Sequence, residues 1–186
     1  MLLLSGCFSP VKLPEAKEFE LNTVPCARVT RAHTGSTLVV MSPSTSPVFS
    51  STQMVYTTAP YLVAYFAKNK WAEPPTVMLQ KLMVQTLQKT HHFHAVIAPP
   101  SSAQYDYVLN SQLIDLTQDF MRTPSVIHLT MRVELLKADT NHVIAIRQFT
   151  VVEPTPGDSP YGGVIAANRA TSRLLKEIAE FCIRRT

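Results

Sequence analysis

Gln53–Lys89, QMVYTTAPYLVAYFAKNKWAEPPTVMLQKLMVQTLQK, is the stretch whose reading decides the fold. An apolar run at Met54–Tyr56 and a second at Tyr61–Phe66, separated by Thr57-Thr58-Ala59-Pro60, read as two strands. The only tryptophan, Trp71, follows in a connection, and Glu73-Pro74-Pro75 ends the extended pattern. Proline suits the first helical turn, where its missing N–H has no intrahelical partner to lose, so Pro74 or Pro75 starts a helix. Good helix formers continue to Lys89, with Leu79, Leu82, Met83 and Leu87 at helical spacing. Two strands, a Trp-bearing connection and an amphipathic helix imply a helix docked on a sheet.

Upstream, Phe19-Glu20-Leu21 begins the fold, and Leu38–Met41 is a short apolar run typical of a buried strand. Ser42–Pro47 carries two prolines that cannot donate to a ladder, so it reads as a loop, either a plain surface loop or a partner contact. Downstream, Phe93–Ile97 reads as a strand that ends at Pro99-Pro100. Tyr105–Phe120 alternates loosely. Ser125–Lys137 alternates cleanly, with Val126, His128 and Thr130 facing away from Ile127, Leu129, Met131 and Val133. Ala138–Asn141 has turn chemistry, and His142–Val152 returns as the hairpin partner, with Val143, Ala145 and Arg147 on one side. A final helix begins near Gly162 or Gly163, where Val164, Ala167, Thr171, Leu174, Ile178 and Phe181 form one stripe. The pattern predicts an α/β, α+β-like two-layer domain: a mixed, largely antiparallel sheet with two long helices on one face.

The 186 residues suffice for one core, and 46% apolar with 16% charged residues describes a folded chain. The net charge of +4 is mild and scattered, without the basic patch of a nucleic-acid binder. No apolar run reaches the ~20 residues that span a bilayer. With five glycines, the chain has no phosphate-cradling glycine loop, and it has no G-x-S-x-G elbow. Asp115, Asp119 and Glu73 carry no marked partner and read as solvated or capping carboxylates. In His91-His92-Phe93-His94, His92 and His94 share one side of an extended segment. No Cys, Asp or Glu lies nearby to complete a shell of four ligands, so these histidines read as solvated, with no metal or cofactor expected.

The ordered set Met54, Tyr56, Pro60, Tyr65, Phe66, Ala67, Asn69, Trp71, Ala72, Pro75, Met78 and Leu79 resembles the ABC-type transport auxiliary lipoproteins. Asp119-Phe120, Arg147-Gln148-Phe149, Ala166-Ala167-Asn168 with Ala170, and Phe181 extend the resemblance over nearly the whole chain beyond Cys7. Leu4-Ser5-Gly6-Cys7 resembles a bacterial lipobox, in which cleavage precedes a cysteine that is then acylated. A full signal needs a basic start and a longer apolar stretch, so the expectation is a signal that begins upstream. The alternative is a chance cysteine after three leucines. Residues 1–22 then comprise a truncated signal, the lipidation site Cys7 and a flexible tether, and residues 23–186 a single periplasmic domain.

The resemblance implies a fold similar to the N-terminal domain of TolB and a periplasmic lipoprotein, not an enzyme, anchored in the outer membrane. It also implies as partners an ABC permease and ATPase and a mammalian-cell-entry-type substrate-binding protein that move lipids across the Gram-negative envelope. Whether phospholipid itself is touched is left open. An envelope scaffold unrelated to transport is the alternative. With Cys7 acylated, Cys26 and Cys182 remain as a candidate disulfide in an oxidising compartment, or as two unpaired small hydrophobes. Tyr56, Tyr61, Tyr65 and Trp71 are the candidate partner- or lipid-binding residues. Tyr61 and Tyr65 share one side of their strand, one aromatic set packs under the helix, and the other meets solvent, lipid or a partner. For Trp71 the competing assignment is the core.

Overall fold

A computed structural model describes residues 16–25 and 33–186. Strands β1 (Lys17–Phe19), β2 (Thr37–Val40), β3 (Ser44–Thr45), β4 (Gln53–Thr57) and β5 (Ala64–Trp71) precede helix α1 (Pro75–Lys89). Then come β6 (Ala95–Ile97), β7 (Tyr107–Asp119), β8 (Val126–Lys137), β9 (His142–Pro154) and helix α2 (Pro160–Arg185). Among the described residues nine strands join one sheet, and the expected mixed sheet with two helices is what the chain forms.

The spine is β7. Its 13 residues extend about 43 Å at ~3.3 Å each. One edge pairs along its length with antiparallel β8, which pairs in turn with β9. The other edge is shared by three short parallel strands: β2 at Tyr107–Leu109, β3 at Gln112–Leu113 and β4 at Thr117–Asp119. The sheet is thus antiparallel in its long ladders and in the short β4–β5 pair, and parallel in its other short ones. Helix α1 lies on β2 and β6, α2 on β8 and β9, and the helices touch each other, so one face carries both.

A bulge between Leu113 and Asp115 explains why β7 alternates loosely in sequence. Leu109 and Leu113 face the helices, opposite Leu135 and Met131. After the extra residue the parity flips, and Leu116 and Gln118 face inward, opposite Leu129 and Ile127. A second bulge, between Leu135 and Leu136, separates Val143 from Ala145. Val143 pairs with Leu136 and Ala145 with Leu135, so the two do not share a side as the sequence pattern expected.

Both helices start as their sequence dictates. Pro75 occupies the first turn of α1. Helix α2 begins earlier than its apolar stripe suggested, at Pro160, because the Ser159 side chain caps it by accepting a bond from the Gly162 N–H at 3.0 Å. The stripe from Val164 to Phe181 is buried throughout, and Ala166, Ala167 and Ala170 are fully enclosed. Ser42–Pro47 serves the fold: it contributes β3 and leads into a 3-10 turn, Pro47–Phe49, that buries Phe49.

The second expected strand is displaced. Tyr61, Leu62 and Val63 lie in a loop; the Leu62 N–H donates to the Ala59 carbonyl at 3.2 Å, and Tyr61 has a left-handed φ of 65°. The strand starts at Ala64 and runs through Trp71, whose N–H donates to the Thr52 carbonyl at 2.7 Å. Tyr61 and Tyr65 therefore do not share a strand face. The histidines differ too. His92 is 3% exposed, its Nε2 lies 3.1 Å from the Thr186 hydroxyl and its ring meets Phe93 edge-on. The strand begins only at Ala95, so His92 and His94 are not paired on one strand face; His91 and His94 are exposed.

Candidate functional site

The fold disperses the four aromatic candidates Tyr56, Tyr61, Tyr65 and Trp71. Trp71 is 4% exposed and belongs to the core. Tyr56 is half-buried, stacked on Phe66 at 4.4 Å between ring centres and edge-on to Phe120 at 5.9 Å. Tyr65 is exposed, and Tyr61 stands wholly in solvent. Cys7 and Cys26 lie outside the described residues. Among the described residues Cys182 has no disulfide partner; it is fully buried, and as a thiol its pKa is pushed by that burial up to about 12. A thiol so protonated is no nucleophile.

The features that do converge sit at the C-terminal end of β7, on the face away from the helices. Thr117 pairs with Val55 and His128, and Asp119 with Thr57, so the outward side chains of three strands line up. Together with the 3-10 turn and the 59–63 loop they form a groove of about 340 Å³. Its floor is polar: Asp115, Thr117, Asp119 and His128. Its walls are apolar: Val48, Phe49, Val55, Leu62, Val63 and Met121.

The sequence marked no partner for the two aspartates, but the fold supplies several. The Thr117 hydroxyl donates to Asp115 Oδ1 at 2.6 Å. Asp119 accepts from the Met121 N–H at 2.8 Å and lies 3.3 Å from His128 Nε2, with Arg122 Nε at 4.0 Å. Period-two spacing of Asp115, Thr117 and Asp119 on one strand was the available signal. Recognising the His128 side of the cluster required the ladder register. The lining holds two threonine hydroxyls, two carboxylates and one imidazole, and no serine, cysteine or lysine.

Burial raises the Asp115 pKa, against the lowering effects of the Thr117 bond and of His128. A carboxylate whose folded pKa is raised binds its proton more tightly in the folded state. Its contribution to stability is therefore greatest below the unfolded pKa and is lost as pH rises through the folded value. Asp115→Asn is expected to raise the melting temperature at pH 7.5, with the gain shrinking towards pH 3. Thermal melts across that range check it; an equal gain at both ends would remove burial as the cause.

A larger cleft, about 660 Å³, lies between the N-terminal segment and α2. Asn168 organises it. Its Oδ1 accepts from the Asn22 N–H at 2.9 Å, and its Nδ2 donates to the Glu20 carbonyl at 3.0 Å. These bonds fix the chain's entry onto α2, so the cleft reads as part of that attachment.

Fold and site together define a two-layer α/β domain with a small polar-floored groove at one sheet end. The chain belongs to the family of ABC-type transport auxiliary lipoprotein components, whose model matches residues 19–179. That family is a transport component, not an enzyme class. Among solved structures, the protein XCC0632 from Xanthomonas campestris is similar at 18% identity with a TM-score of 0.84, covering 91% of this chain and 96% of that one. A protein described only as uncharacterized is similar at 14% identity and a TM-score of 0.72, covering 90% and 99%. The hypothetical protein CT253 from Chlamydia trachomatis is similar at 8% identity and 0.53, covering 82% and 98%. At such identities the likeness speaks for the fold. No curated protein matches the sequence significantly.

Proposed function

We propose that this chain is an envelope lipoprotein, held in the outer membrane by acylated Cys7. In this reading its periplasmic domain serves an ABC transporter that moves lipids across the Gram-negative envelope. Its partners are the permease–ATPase system and a mammalian-cell-entry-type substrate-binding protein. The observation that carries the reading is the family match over residues 19–179, and Leu4-Ser5-Gly6-Cys7 supports the anchor. Acylation is physically sufficient: each buried CH₂ contributes roughly 0.8 kcal/mol, so two or more chains hold a domain on a bilayer.

Two experiments test the reading. Expressed with a complete upstream signal, the protein is expected to partition into detergent and the Cys7→Ser variant to stay in the aqueous periplasmic fraction; unchanged partition removes the anchor. Crosslinking from intact membranes, with mass spectrometry for protein and lipid, is expected to recover a permease, an ATPase and an entry-type protein. Recovery of envelope scaffold proteins alone would overturn the transport role. The oxidising periplasm of this reading also allows a Cys26–Cys182 bond, which two free thiols counted under denaturing, non-reducing conditions would reject.

A further inference from the structure

We propose that the loop from Ala59 to Val63, together with Met121, is a membrane-contact tip, and that the anchored domain stands on the bilayer by this end of its sheet. The inference rests on the anchoring part of the proposed function. Two loops make the tip. Strands β4 and β7 end in register, Thr57 opposite Asp119, so the chain leaves the sheet twice at one place. The Phe120 N–H donates to the Thr57 carbonyl at 2.9 Å and ties the two exits together.

At this end apolar side chains meet water. Tyr61 is fully exposed, Leu62 44%, Val63 52% and Met121 50%. The loop is held in place: the Thr57 hydroxyl donates to the Ala59 carbonyl at 2.7 Å and the Leu62 N–H to the same carbonyl. Tyr61 sits in the left-handed region, which a tyrosine enters only at a cost. The opposite end of the long hairpin is polar, with Asp139, Thr140, Asn141 and His142 at the β8–β9 turn.

The direction of the chain says what covers the apolar end. β1 runs parallel to β5 with Lys17 opposite Asn69. The N-terminal end of β1 therefore points along β5 in the direction of Ala64, the residue at which β5 leaves the 59–63 loop. From the level of Asn69 to Ala64 is five residues, about 17 Å at ~3.3 Å each. Cys7 lies ten residues before Lys17, a reach of at most ~35 Å. The chain between Lys17 and Cys7 is thus long enough for an acyl anchor on Cys7 to enter the same membrane surface as the apolar tip.

The chemistry of the tip suits the interfacial layer. Tyrosine combines an apolar ring with a hydrogen-bonding tip. Arg122, beside Met121 and 64% exposed, is placed for lipid phosphate. The carboxylate beneath, Asp119, is buried and already engaged. Four side chains do not hold a domain on a bilayer unaided. A tether that keeps them close raises their effective concentration enough to fix orientation.

The test replaces acylation with a neutral tether, so that it stands or falls apart from the fate of Cys7. The full chain with Cys7→Ser and Cys26→Ser, carrying an N-terminal histidine tag, is bound to phosphatidylethanolamine–phosphatidylglycerol vesicles through a nickel-chelating lipid. Leu62→Cys, Met121→Cys or Thr140→Cys supplies the only accessible thiol, since Cys182 is buried. Each is labelled with a polarity-sensitive dye and quenched by nitroxide phospholipid. Quenching at 62 and 121 is expected to exceed that at 140 several-fold, with a blue shift on vesicle binding. Equal quenching at the three positions, or more at 140, would overturn the orientation. A blue shift at 62 without nitroxide quenching would assign the tip to a protein surface and overturn it equally.

Discussion

Trp71→Ala is expected to lower stability by about 3–5 kcal/mol, the range for removing a large aromatic side chain from a packed core. Trp71 is 4% exposed, closes β5 and stands in register with Phe19, so its loss also loosens the attachment of β1. At roughly 2–4 °C per kcal/mol for a domain of this size, the melting temperature should fall by about 6–20 °C. Against a typical total of ~5–15 kcal/mol, the loss removes between about a fifth and all of the stability. Thermal melting and partner recovery measured on the same variant separate a core role from an interface role. A large fall in melting temperature assigns Trp71 to the core. An unchanged melt with lost partner recovery would return it to an interface.

Gly162→Ala should be the second most damaging small change, because two effects of known size oppose each other. In a helix interior, alanine is favoured over glycine by ~1 kcal/mol. Here a Cβ at Gly162 would overlap the Gly157 carbonyl oxygen, a backbone atom that no rotamer change can move. Forcing a methyl group into packed space costs typically ~1–3 kcal/mol, and the shift would also disturb the Ser159 cap. Net destabilisation of up to about 2 kcal/mol is expected, read by denaturant midpoint. A stabilised variant would mean that the Gly157–Ser159 turn yields without cost. Gly163 is constrained by the side chain of Gln118, which donates to Ser125 Oγ and to the Ser159 carbonyl at 3.1 Å each. Tight glycines and this buried amide together fix where α2 meets the sheet.

The sequence by itself determined the elements whose signals are local. Pro75 and the 79–87 stripe defined α1, the Val164–Phe181 stripe defined α2, and clean alternation defined β8. An ordered set of residues around Trp71 was enough to name the family. Local chemistry did not reveal either bulge, since one extra residue changes which side chains face inward only in relation to the neighbouring strand. For the same reason Tyr61 left its strand: a left-handed turn after Pro60 overrode the apolar pattern. The local pattern around His92 suggests a solvated segment, whereas its burial depends on Thr186 and the end of α2, far away in sequence. The groove at the end of β7 joins residues from positions 48 to 128. Only the register of three strands, together with two loops leaving the sheet at one point, decided that Asp115, Asp119 and His128 face one another beneath an apolar rim.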